Sequence, residues 1–343
     1  MSGRAVVLQG AFLVSRRLTS WAVDAIRPTE IRSVLDEAAS RLRTVDLDPD
    51  LVARLLRQQA PHLADLRVRR SDTSGSSNAV FRLGDTYAVR LPRADEYAAD
   101  LVTETDWLPH LGPSLTAPVP DIVFAGQASD VFPRPWAVVS WVPGDLPADL
   151  DAQQQRALAA TLGDFLRSLH AVDTCGLTSG AGRWGYRCGE PVTDEIDSWA
   201  ERAADQLSDL FDPAQVRRAW RLLRDVPAAS APPCWVHCDV SAENILVHPD
   251  GRLAGVIDFG GLGVGDRAID LLYAWSLLDP PGRELLRTTS GADEATWTRA
   301  RAWAFVGPGL LTIANYREQL PQRTAVLTAM VYAVADEVGV QLR

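Results

Sequence analysis

Apolar residues Ile31, Val34, Leu35, Ala38 and Leu42 recur every three or four positions, a period that predicts an amphipathic helix over residues 29–43. A second helix is expected over 49–60. The period then drops to two. Residues 78–83 and 86–91 read as strands, and Gly84-Asp85 between them signals a hairpin. Within 86–91, Tyr87, Val89 and Leu91 fall on one face and Thr86, Ala88 and Arg90 on the other. Helical spacing returns over 95–111 and stops before Gly112-Pro113. Strands are expected at 121–125 and 136–141. Val142-Pro143-Gly144-Asp145 then breaks the pattern.

Beyond that break the chain is mainly helical. Leu158, Leu162, Phe165, Leu166 and Leu169 form one apolar stripe within 151–171. A loop is expected over 176–190, helices over 193–209 and 213–225, and a short β excursion within 244–258. Helices follow from 266, interrupted at Pro280-Pro281, Gly307-Pro308-Gly309 and Pro321. This order predicts an α+β chain in three parts. Residues 1–44 form an N-terminal extension with a helix, 45–141 a small lobe with an antiparallel sheet, and 142–343 a larger, mainly helical lobe. A cleft between two such lobes is a common place for a ligand.

Composition narrows the chemistry. The 343 residues carry a formal net charge of −10, which disfavours nucleic acid as a partner. The chain has no lysine, so all 34 basic residues are arginine. That excludes a P-loop and any Schiff-base chemistry, and leaves arginine as the cation to hold a phosphate. Cys175, Cys188, Cys234 and Cys238 are expected to be unpaired thiols. Cys234 and Cys238 have no neighbouring pair to complete a zinc set. The apolar run 5–14 is too short to span a bilayer and ends in Ser15-Arg16-Arg17 instead of a cleavage site. The expectation is a soluble cytoplasmic protein with no membrane partner.

The chemistry-bearing stretch is WVHCDVSAENILVHPDGRLAGVIDFGGLGVGDRAID, residues 235–270. Residues 245–248 and 253–257 read as two strands joined by the turn Pro249-Asp250-Gly251. Asn244 precedes the first strand and Asp258 follows the second, so a hairpin brings them together at its open end. Asp239, five residues before Asn244, can reach the same place. Singly, each could cap a turn or end a strand. Together they give two carboxylates and an amide oxygen, hard ligands of the kind Mg²⁺ shares with substrate phosphates. Phosphoryl transfer needs little more: a metal, a cation on the phosphates, and a carboxylate to orient the attacking hydroxyl.

His237-Cys238-Asp239-Val240 with Asn244-Ile245-Leu246, Ile257-Asp258-Phe259-Gly260, and Gly265-Asp266-Arg267-Ala268-Ile269-Asp270-Leu271 resemble the aminoglycoside phosphotransferase family, a branch of the protein-kinase-like fold. The resemblance extends upstream through FRLGDTYAVRLPR, ETDWLP and PWAVVSWVPG and covers residues 45–275. It implies a bilobal kinase-like fold. Asp239 would be the catalytic carboxylate, and Asn244 and Asp258 would hold Mg²⁺. Arg90 would grip the phosphates of ATP or GTP where the fold usually has a lysine, and Glu104 would fix its direction. The turn containing Gly75 and Ser77 would cover the phosphates, and Trp141-Val142 would form the hinge against the base. Two positions depart from the family pattern: Cys238 stands for the usual glycine and Arg267 for a proline.

Other residues carry simpler readings. His237 is expected to stabilise its loop, Asp270 to support that loop by hydrogen bonds, and Asp266 to cap a helix or serve the site. Asp194, Glu195 and Asp197 read as a solvated helix face, with an ammonium-binding surface as the other reading. By the resemblance the acceptor is an aminoglycoside-type antibiotic, which would make this a resistance enzyme acting as monomer or homodimer. A macrolide, an amino alcohol or a sugar remains open, since Trp184, Trp199, Trp220, Trp275, Trp297 and Trp303 could build an apolar pocket. An inactive kinase-like binding module is the reading from another class. The intact Asp239, Asn244 and Asp258 argue against it.

Overall fold

Asp48 accepts a hydrogen bond from the Leu51 amide at 2.7 Å and so caps helix α1 (Pro49–Gln59), whose proline sits where a missing N–H is harmless. The computed structural model describes residues 46–71, 77–177 and 192–343. The helix expected at 29–43, Gly75, Trp184 and Cys188 lie outside the described residues.

Strands β1 (Val68–Arg70), β2 (Asn78–Leu83), β3 (Tyr87–Pro92), β4 (Ile122–Gly126) and β5 (Trp136–Ser140) form one antiparallel sheet in the order β1-β2-β3-β5-β4. The hairpin register pairs Leu83 with Tyr87 and Phe81 with Val89, so the connection is Gly84-Asp85-Thr86, one residue longer than the expected Gly84-Asp85, and β3 then pairs Val89 with Val138. Helix α2 (Asp95–Leu111) covers one face of this sheet. Its Leu101 packs with Ala88, Ala137 and Val139. The face of β3 that carries Ala88 and Arg90 is therefore buried. Arg90 retains 7% of its surface, so its charge sits inside the protein and not on a solvated strand face.

Helix α3 (Ala152–His170) opens with a capping box in which Asp151 and Gln154 satisfy each other's backbone amides. Its apolar stripe is buried as predicted. Helices α4 (Asp194–Gln206) and α5 (Pro213–Leu223) follow, then β6 (Cys234–Val236), the hairpin β7 (Ile245–Val247) and β8 (Leu253–Val256), and β9 (Gly263–Gly265). The β6–β9 pair was not expected: two three-residue strands give too short a run for alternation to register. Helix α6 (Pro280–Ser290) packs against α3 at Gly163. A Cβ there would lie 1.9 Å from Thr289 Oγ1, so only glycine permits the approach.

Helix α7 (Glu294–Ala304), a π-helical stretch Phe305–Leu311, α8 (Thr312–Tyr316) and α9 (Pro321–Glu337) complete the chain. Gly307-Pro308-Gly309 does not break the helix, contrary to the sequence expectation. The chain keeps a helical path there through a π-helical stretch that contains Pro308. Among the described residues no helix is long and apolar enough to cross a membrane.

Candidate active site

The β7–β8 hairpin holds the chemistry by its register. Ile245 pairs with Val256, which sets Asn244 and Ile257 opposite each other at the open end, where the Ile257 amide donates to the Asn244 carbonyl at 2.9 Å. At the closed end Gly251 takes φ +84. A Cβ there would meet the Gln154 backbone at 2.5 Å, so the turn is fitted against the start of α3. Gln154 Nε2 donates to the Pro249 carbonyl at 3.0 Å and fastens it.

Asn244 Nδ2 donates to both the carbonyl and the Oδ2 of Asp239, each at 2.9 Å. With its amide nitrogen spent on Asp239, the oxygen of Asn244 remains as an acceptor for a metal. Asp258 stands at φ +61 immediately after the hairpin. One of its oxygens pairs with Arg90 Nη2, while Arg90 Nη1 pairs with Glu104. Arg90 and Glu104 thus meet as the resemblance implies. The structure adds a third member, because the same guanidinium also reaches Asp258.

One positive charge serves two carboxylates here. Burial opposes the Arg90 charge, yet Glu104 and Asp258 together hold its pKa above the ordinary value. Glu104 is fully buried, with Oε2 lacking a partner among the described residues, and burial pushes its pKa up against the pull of Arg90. For Asp258, a third exposed, Arg90 outweighs burial and lowers the pKa. Asp258, kept ionised beside Arg90, can also face a cation. Among the described residues no cluster of three or more His, Cys, Asp or Glu side chains can hold a metal alone. A site of one carboxylate and one amide oxygen suits Mg²⁺, which takes its remaining ligands from phosphates and water.

The loop before Asn244 is fixed by buried groups. His237 is fully buried. Its Nε2 lies 3.1 Å from the Ile257 carbonyl, and Nδ1 accepts from the Asp239 amide at 3.2 Å, so the ring joins the loop to β8. Asp270, 2% exposed, accepts from the His237 amide at 3.2 Å, the Cys238 amide at 2.8 Å and His170 Nε2 at 2.9 Å. Both supporting roles expected for His237 and Asp270 are present as contacts. Cys238 adopts φ +71, the left-handed region that favours glycine, so the departure from the family pattern falls where the backbone is strained. Asp266 caps its turn through the Ala268 amide at 3.3 Å and pairs with buried Arg299 through both oxygens, at 2.7 and 3.0 Å. Its contacts are structural.

The remaining candidates are placed unevenly. Ser77 lies at the entry to β2, its carbonyl accepting from the Arg93 amide at 2.9 Å. The Trp141 amide donates to the Thr86 carbonyl at 2.7 Å, and its ring carries Arg82 at 3.9 Å, so the indole is engaged with the sheet. Val142 is buried with Leu246 and Ala254, and Ile257 packs beside them in one small apolar cluster. Asp197 is tied to Trp220 Nε1 at 2.8 Å and to Arg224, so the acidic cluster on α4 is partly spent within the fold. Sequence reasoning missed Arg323. From the first turn of α9 its Nη2 lies 3.5 Å from Asp239 Oδ1, 84 positions away in the chain.

A buried ion pair between Arg90 on β3 and Glu104 on α2 also engages Asp258, at the end of the hairpin where Asn244 holds Asp239; a cation and oxygen donors of this kind are the parts that phosphoryl transfer uses. The model of the phosphotransferase enzyme family matches residues 68–303, and the chain belongs to that family. It is accordingly a phosphotransferase with an alcohol group as acceptor. An aminoglycoside 3'-phosphotransferase of Streptomyces fradiae is 31% identical over 208 residues, 55% of this chain and 69% of the relative. One from Escherichia coli is 24% identical over 247 residues, 68% of this chain and 85% of the relative. Among solved structures, the GDP complex of wild-type aminoglycoside 2'-phosphotransferase-IIIa superposes with a TM-score of 0.62 at 18% identity, covering 84% of this chain and 99% of that one. A macrolide 2'-phosphotransferase from Brachybacterium faecium gives 0.55 at 20% identity, covering 82% and 97%. At such identities the likeness speaks to the fold, which is kinase-like, with an antiparallel N-terminal sheet and a helical C-terminal part.

Proposed function

We propose that this enzyme transfers the γ-phosphoryl group of ATP or GTP to a hydroxyl of an aminoglycoside-type antibiotic, inactivating it. The supporting observation is the meeting of Asp239, Asn244, Asp258 and Arg90 at the open end of one hairpin. Residues 45–141 would bind the nucleotide and 142–343 would supply catalysis and the acceptor surface. Arg90, directed by Glu104, would hold the phosphates, with the turn at Gly75 and Ser77 above them. The backbone at Trp141-Val142 would meet the base, beside the cluster of Leu246 and Ile257. Asn244 and Asp258 would hold Mg²⁺, which when bound neutralises phosphate charge. Asp239 would accept the hydrogen bond of the attacking hydroxyl and aim its oxygen at phosphorus.

The names of the relatives and the net charge of −10 favour a polycationic acceptor. The enzyme would act in the cytoplasm, as monomer or homodimer, without nucleic acid or membrane. The test is incubation of the purified protein with ATP or GTP, Mg²⁺ and a panel of aminoglycosides, macrolides, amino alcohols and sugars, read by mass gain of one phosphate. An aminoglycoside is expected to gain it, and Asp239→Asn is expected to lower kcat about 10²- to 10⁴-fold. Equal turnover by a folded Asp239→Asn protein would refute the role of that carboxylate. Transfer only to another acceptor class would refute the aminoglycoside assignment.

A further inference from the structure

Arg323 stands in the first turn of α9, remote in sequence from every motif of the site. Its Nη2 donates to the Tyr273 hydroxyl at 3.0 Å and lies 3.5 Å from Asp239 Oδ1, and its Nη1 donates to Glu243 Oε2 at 3.1 Å. The other oxygen of Asp239 is held by Asn244 at 2.9 Å. The catalytic carboxylate is therefore gripped from both sides, once by its own loop and once by the last helix. Arg90, by contrast, turns its terminal nitrogens to Glu104 and Asp258. Burial of Arg323 opposes its charge, but Tyr273, Asp239 and Glu243 together hold its pKa above the ordinary value.

The torsion that rotates a carboxylate about its stem is broad and two-fold, so an aspartate held at one oxygen still turns. An attacking hydroxyl must meet a defined lone pair while its oxygen points in line with the phosphoryl group. A guanidinium stays protonated and cannot take the proton itself, so its contact with Asp239 is the route by which Arg323 can act on the proton transfer. We propose that Arg323 is a positioning residue of the phosphotransfer reaction: anchored by Tyr273 and Glu243, it fixes the rotation of the Asp239 carboxylate toward the acceptor hydroxyl. This rests on the reading of Asp239 given above.

The test is a double-mutant cycle on the full chain with Mg²⁺-nucleotide and a phosphorylated acceptor. Arg323→Met is expected to lower kcat about tenfold to hundredfold while the KM values of donor and acceptor stay within about threefold. Arg323→Lys, which keeps the charge, is expected to recover part of the loss. In an Asp239→Asn background the Arg323→Met change is expected to alter kcat by less than about twofold. An equal loss in both backgrounds means that Arg323 acts independently of Asp239 and overturns the proposal. Wild-type kcat in Arg323→Met overturns it too and leaves the phosphotransferase reading standing. No transfer by wild type to any acceptor overturns that reading and this one with it. Should Arg323→Met fail to fold, the same cycle run with Arg323→Lys decides.

Discussion

Replacing Asp270 by asparagine tests how the fold supports the catalytic loop. The carboxylate serves three donors in a space closed to solvent: the His237 amide and His170 on one oxygen, the Cys238 amide on the other. An asparagine of the same shape keeps one acceptor oxygen. Whichever way the amide is turned, its NH₂ faces a backbone N–H, either of His237 or of Cys238. That donor loses its partner, at a cost of about 1–3 kcal/mol, and the retained bond loses its charge assistance. The total is about 2–4 kcal/mol, a large share of the stability of a typical domain. A melting temperature lower by about 3–6 °C is expected by thermal unfolding. Because the orphaned amide, of His237 or of Cys238, lies in the two residues just before Asp239, kcat is also expected to drop about tenfold through displacement of that carboxylate. A variant that melts within a degree or so of wild type with unchanged kcat would show that neighbouring groups or water replace these bonds, and that Asp270 does not hold the loop.

Two further substitutions probe the frame. Gly163→Ala forces a methyl group onto Thr289 at the α3–α6 crossing, and a loss of about 1–3 kcal/mol is expected in denaturant unfolding; an unchanged midpoint would mean the helices separate freely. Asp197→Asn removes the pairing with Arg224, which together with the Trp220 hydrogen bond holds the Asp197 pKa below its ordinary value. A folded-state pKa below the unfolded one adds stability above the unfolded pKa and loses it as pH falls through the folded one. Wild type should therefore exceed the variant by about 1 kcal/mol at neutral pH, with the gap closing below a pH of about 4; a gap constant with pH would refute the pairing as its source.

The hairpin and its three polar residues were legible because two short apolar runs flank a strong turn, so Asn244 and Asp258 had one place to go. The sheet of the N-terminal lobe was legible for a similar reason, since β2 and β3 alternate around Gly84-Asp85. Burial of Arg90 was not, because the helix that covers it follows in the chain with no mark of which face it takes. Arg323 was invisible to motif reading. It stands 84 residues from Asp239, behind a proline that only signals a helix start, and its place depends on how α7, α8 and α9 fold back. The π-helical stretch was misread for a local reason: Gly-Pro-Gly reads as a breaker of an α-helix, yet the chain keeps a helical path through it.

The guanidinium shared by Glu104 and Asp258 also shapes how the site can be attacked chemically. Where an ε-amine holds the phosphates, reagents that acylate or condense with amines find a nucleophile in the nucleotide cleft. Arg90 presents none, and no lysine elsewhere in the sequence replaces it. Covalent inhibition here would have to look to other side chains, and amine-directed labelling would spare every side chain around Arg90.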